Sequence, residues 1–261
     1  EKDGILREDQ IYTWLSNNNA QCHYQEAPFQ FVQKMAQNVE LYVKCRMPDD
    51  ASEGKVHLKN IPLLAGKSYK LHLMLLLAAS NMNSEAFAKF KSILESVVYY
   101  TVIDKIATNI TERTFALWCR DVRNIITVED LDCFVKNTII PTVNDWKLDN
   151  KSNFLRLGLN SMQQYRIKFI LGKITAYVDA LKLGKTTVED LTTYTETAVE
   201  IEHIMPQTCT DKELYGMDEE EFSVYINRLG NLTLLENTIN RSIQNDVYTN
   251  KATYYKQSKF Y

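Results

Sequence analysis

Chain breakers are scarce in this sequence: eight glycines and five prolines punctuate 261 residues. A chain with so few turn-forming residues is constrained to long regular elements joined by short loops. Over the first two thirds, apolar residues recur at three and four positions, as in Phe87, Phe90, Leu94, Val97 and Val98, which is the period of a helix with one buried face. The spacing predicts helices over 29–45, 69–79, 84–107, 111–126, 128–143 and 161–181. Ser84 with Glu85, Thr111 with Glu112, and Thr127 with Glu129 supply capping residues and early acidic charge. The loosest connections are expected at 48–59, 145–153 and 183–187. The fold class expected is mainly α: a helical scaffold over 1–190, then a small ββα module over 191–261.

The pattern changes near residue 197. Thr197 to His203 mixes β-branched and alternating residues and stops at Pro206, so it reads as a short strand. Leu229 to Leu235 reads as a second strand containing Gly230, and Asn237 is placed to cap a helix beginning near Thr238. Asp218 to Glu221 read as the acidic opening of a helix through Asn227. Neighbouring strand residues point to opposite faces. Glu202 and His203 therefore share one centre only if the strand bends, and Pro206 can impose a bend.

The residue types fit one chemistry. Hydrolysing a phosphodiester needs an activated water, a cation on the phosphoryl oxygens and stabilisation of the departing 3′ oxygen. His203 suits the first task, because an imidazole titrates near neutrality. Glu202 and Asn240 suit the second, since magnesium prefers oxygen ligands and usually takes only one or two from protein. Asn231 is expected to hold the imidazole in its working orientation. Arg241 and Lys251 are candidates for phosphate contacts within the basic segment 240–261, where four cations stand against Asp246 alone.

Glu-His-Ile-Met-Pro-Gln at 202–207, Leu-Gly-Asn-Leu-Thr-Leu-Leu at 229–235, Asn240, and the downstream Tyr248, Lys251, Tyr255 and Ser258 resemble the HNH, or His-Me finger, domain ending GmrSD-type and SspE-type restriction proteins. The HNH domain of RNA-guided CRISPR nucleases has a similar Asp-His-Ile-Val-Pro-Gln and a similar asparagine-to-asparagine spacing. The resemblance covers about 195–260 and implies a ββα-metal nuclease with His203 as base, Asn240 as metal ligand and Mg²⁺ as cofactor, Mn²⁺ being an alternative. It departs at Glu202, where many HNH domains carry aspartate, at Tyr248, where phenylalanine is usual, and in lacking paired Cys-x-x-Cys zinc clamps. The implied activity is one-metal endonucleolytic cutting of double-stranded DNA in a phage-defence restriction system. A lone site of this kind should nick, leaving 5′-phosphate and 3′-hydroxyl ends. The resemblance also implies an N-terminal nucleotide-hydrolysing sensor domain with an Asp-Gly-Gln-Gln-Arg motif, which this sequence lacks. With Glu1 rather than methionine first, the sequence reads as the effector part of a longer protein.

Composition narrows the alternatives. A net charge of −3 excludes a generally basic nucleic-acid-coating protein, leaving any positive charge to be local. Cys22, Cys45, Cys119, Cys133 and Cys209 are widely spaced without a pairing or metal motif, which reads as reduced thiols in a cytoplasmic protein. The apolar run 71–79 is too short for a membrane span, and His72 within it reads as a partly buried helix histidine rather than a ligand. Zinc held by Cys209 and His203 is disfavoured, because no further Cys or His lies nearby. The competing reading is a catalytically idle helical module that binds DNA or docks a protein.

Overall fold

The computed structural model describes residues 6, 8–49, 53–146, 149–184, 190–208, 215–243 and 245–260. Cys209 and most of the connection expected at 183–187 lie outside them. The chain divides into two compact units, one of residues 1–59 and 68–148, the other of 60–67 and 149–261.

The first unit is helical. Its elements are α1 (Ile11–Asn17), α2 (Asn19–Cys22), α3 (Pro28–Arg46), the start of α4 (Lys55–Ala65), α5 (Leu71–Ala78), α6 (Ser84–Ile103), α7 (Thr108–Val122), α8 (Val128–Phe134), a π-helical turn at Val135–Ile139 and α9 (Ile140–Trp146). The helix expected over 128–143 is thus continuous but widened at its centre. Phe90, Leu94 and Val98 of α6, Leu75 and Leu76 of α5, and Phe115 of α7 are wholly buried. Trp118 stacks on Phe115 and Trp146 and meets Phe134 edge-on. Burying each such side chain contributes about 1.5–3 kcal/mol, which holds these helices where propensity alone would not. The cap of α6 is Asn83, whose Oδ1 accepts from the Ala86 amide at 2.8 Å, so Ser84 is already the first helical residue. Thr127 caps α8 in a reciprocal box with Asp130, whereas Thr111 lies buried inside α7. His72 is buried, stacked on Tyr69 at 5.6 Å. Helix α4 begins within the segment expected to be loose and contains Pro62. Tertiary burial of Leu58, Ile61 and Leu64 overrides the local signal.

The second unit contains α10 (Asn150–Leu155), α11 (Gln164–Leu183), α12 (Thr192–Thr195), β1 (Val199–His203), α13 (Glu219–Tyr225), a 3₁₀ turn at Leu229–Asn231, β2 (Leu232–Glu236), α14 (Asn237–Ile243) and α15 (Tyr248–Tyr255). The two strands pair antiparallel, with His203 opposite Leu232 and Val199 opposite Glu236. Helix α11 buries Ile167 and Phe169, and it packs against β2 and α12. At Gly172 a Cβ would stand 3.1 Å from Tyr194 Cβ, so glycine permits the close approach of α12. Asp218 caps α13 reciprocally with Glu221, as the acidic run predicts. The expected second strand is shorter than its sequence pattern. Its first three residues coil into the 3₁₀ turn, where Asn231 N–H bonds Arg228 O and Leu229 N–H bonds Leu157 O. Among the described residues no helix is long and apolar enough to cross a membrane.

Candidate active site

Strand β1 carries Glu200, Glu202 and His203 to the rim of a cleft of about 840 Å³. The cleft is lined also by Lys168 and Tyr165 of α11, Asn240 of α14 and Asn245. Alternation along β1 separates the two residues of the Glu-His pair, and each meets a different partner.

His203 is 7% exposed, and its Nε2 lies 3.1 Å from Asn227 Oδ1. A carboxamide oxygen only accepts, so this contact is a hydrogen bond when Nε2 carries the ring proton, which leaves the lone pair on Nδ1. The Gln207 amide nitrogen stands further off, at 3.4 Å from Nε2. Asn227 is held in turn by its backbone: Leu159 N–H bonds its carbonyl at 2.8 Å, and Gly158 pairs with Arg228 as an isolated antiparallel bridge.

Asn231, expected to orient the imidazole, is buried and engages backbone. Its Oδ1 accepts from Met205 N–H at 2.8 Å, and its Nδ2 donates to Ile226 O at 2.8 Å. Together with Ile204 N–H on Asn231 O at 2.9 Å, this clamps the chain leaving β1 against the chain entering β2. Its influence on His203 passes through the loop, and the ring itself rests on Asn227. No spacing signal in the sequence points to Asn227.

Glu202 is paired with Lys251 of α15, Nζ to Oε1 at 2.6 Å, with side-chain exposures of 9% and 1%. The same ammonium donates to His203 O at 2.7 Å, and the Tyr255 hydroxyl stands 3.4 Å from Glu202 Oε1. Burial, reinforced by the Glu202 charge, pushes the Tyr255 phenol above its ordinary range. Lys251, expected at a phosphate, is thus a buried strut joining α15 to the end of β1. Tyr248 is half exposed with its ring 6.4 Å from that of Tyr255.

Asn240 donates from Nδ2 to Glu200 Oε2 at 2.8 Å. Glu200 was absent from the sequence-predicted site, although residues two apart share a strand face and Glu202 pointed to it. Lys168 donates to Glu196 O at 2.6 Å. Burial lowers its ammonium pKa, while the charges of Glu200 and Glu196 oppose that shift. Arg241 is exposed on α14. Asn245 fastens the loop beyond Gln207, donating to Thr208 O at 2.7 Å and to its hydroxyl at 2.6 Å.

The donor set suits a hard divalent cation. Carboxylate and carboxamide oxygens border the cleft, and one or two protein oxygens are what magnesium ordinarily takes. Among the described residues no three of His, Cys, Asp and Glu group as a metal cage, so the site does not resemble a closed zinc centre.

Residues 143–261 match the family model for the C-terminal domain of GmrSD restriction endonucleases. No match emerged among curated proteins or among solved structures.

Proposed function

We propose that this chain is a metal-dependent HNH-type endonuclease that cuts one strand of double-stranded DNA, acting as the effector part of a restriction system. The observation that carries the reading is the Asn227–His203 contact, which supports an Nδ1 lone pair beside a cleft bordered by Asn240 and the acidic residues of β1.

In this reading His203 Nδ1 takes a proton from a water molecule. The water oxygen bonds to phosphorus as the bond from phosphorus to the 3′ oxygen breaks, and the leaving oxygen is protonated from solvent. A 5′-phosphate and a 3′-hydroxyl result. Asn227 holds the imidazole in the tautomer that makes Nδ1 the base, and Asn231 fixes the loop that presents it. Mg²⁺, or Mn²⁺ in its place, would be held from Asn240 and the carboxylates of β1, Glu202 among the candidates, and would supply charge stabilisation at the phosphoryl and leaving oxygens. Arg241 is a candidate for a phosphate contact because it is exposed on the helix that carries Asn240. Recognition of the target would fall to a nucleotide-hydrolysing sensor domain of the same protein.

The test is incubation with supercoiled plasmid and Mg²⁺. Wild type should give relaxed circles, while His203→Ala and EDTA-treated protein should not. Equal nicking by wild type and His203→Ala would remove His203 as the base and favour an idle module.

A further inference from the structure

Resting on the nuclease reading, we propose that the direct carboxylate ligand of the metal is Glu200, paired with Asn240, and that Glu202 serves as a structural anchor for Lys251.

Both carboxylates lie on the same face of β1, since they are two residues apart, but their surroundings differ. Glu202 is 7% exposed, and its charge is matched at 2.6 Å by an ammonium that is itself buried. Drawing that carboxylate towards a dication would loosen a buried ion pair, and leaving Lys251 without its counter-ion is costly. Lys251 also donates to the His203 carbonyl, so the pair fixes the strand end that carries the base.

Glu200 is held less tightly: its charge is felt by the Lys168 ammonium bordering the same cleft, without a direct bond between them. It is partly exposed, lines the cleft, and forms no ion pair among the described residues. Its bond is to a neutral amide, Asn240 Nδ2, at 2.8 Å. A carboxamide offers either a donor or an acceptor from nearly the same place by turning over. The 2.8 Å contact already brings the ends of Glu200 and Asn240 side by side at the cleft. The amide donor therefore occupies, towards Glu200, the position that the Asn240 oxygen would take beside a bound cation.

The experiment measures Mn²⁺ binding in the absence of DNA, by electron paramagnetic resonance of the free ion, on the full chain. Thermal unfolding without metal is followed in parallel. Glu200→Gln should weaken Mn²⁺ binding tenfold or more with an unchanged midpoint of unfolding, and Asn240→Ala should do the same. Glu202→Gln should lower the unfolding midpoint and, where folded, keep Mn²⁺ affinity within threefold. Wild-type affinity in Glu200→Gln would overturn the proposal. So would a wild-type chain that binds no Mn²⁺, or a folded Glu202→Gln that loses the ion while Glu200→Gln keeps it. The nuclease reading fails separately: a wild type that binds Mn²⁺ through Glu200 yet leaves plasmid intact retains the metal site and loses the cutting activity.

Discussion

At Glu202 and Lys251 two opposite charges leave water together, and the pair persists because the His203 carbonyl and the Tyr255 hydroxyl also engage it. Removing one partner leaves the other buried and uncompensated. Lys251→Met should therefore cost about 3–5 kcal/mol, measured as a lowered urea midpoint, and adding Glu202→Gln should recover part of the loss. A midpoint within error of wild type for Lys251→Met would contradict a buried strut. His72 gives a pH prediction in the first unit. Burial, helped by Arg46, lowers its pKa from the ordinary 6.5 to about 4, and its buried Nδ1 has no hydrogen-bond partner among the described residues. Because the folded pKa lies below the unfolded one, the unfolded chain binds the extra proton, and stability falls as pH drops from 6.5 towards 4. The difference corresponds to about 3 kcal/mol. His72→Phe retains an aromatic face against Tyr69 and cannot charge, so its urea midpoint should fall less between neutral and acidic buffer than that of wild type. Equal falls would reject this. Burial separates these residues from their sequence readings: Lys251 sits among exposed cations in the sequence, and only packing turns it inward.

At the scale of elements, the order strand, strand, helix was legible because alternation, Pro206 and a capping asparagine are local signals. The 3₁₀ turn at Leu229–Asn231 was not, since it depends on bonds to Leu157 from a distant segment. That same segment borders Asn227, the partner of His203. A Cβ on Gly158 would lie 2.3 Å from the Asn227 carbonyl oxygen, well inside contact distance. Gly158→Ala should consequently destabilise the fold by about 1–3 kcal/mol and, on the proposed nuclease reading, reduce plasmid nicking by displacing Asn227. Full activity with an unchanged melting curve would show that Asn227 needs no such support. Asn231→Ala breaks the clamp between the exit of β1 and the entry of β2. Leaving the Met205 N–H and Ile226 carbonyl unpaired should cost about 1–3 kcal/mol for each group that stays buried, read as a shifted denaturant midpoint. Asn231→Asp, which keeps the acceptor for Met205, should lose less.

For the whole molecule, a net charge of −3 gives no general attraction to DNA, so the DNA affinity that the proposed function requires would arise from a local patch. If Arg241 meets one phosphate, Arg241→Ala should lessen the slope of log affinity against log salt by about 0.9, measured by fluorescence anisotropy over a salt series. An unchanged slope would exclude the contact. The sequence by itself determined that this chain is largely helical, that two strands and a helix follow near its end, and that Glu202, His203, Asn231 and Asn240 belong to that segment. Those conclusions rest on periodicity, turn residues and motif spacing, which act over short stretches of chain. Only the tertiary structure decided who meets whom: His203 with Asn227, Asn231 with the backbone of its own loop, Glu202 with Lys251, and Asn240 with Glu200. Partner choice among polar side chains is settled by burial and by distances between residues remote in sequence, and neither leaves a period to read.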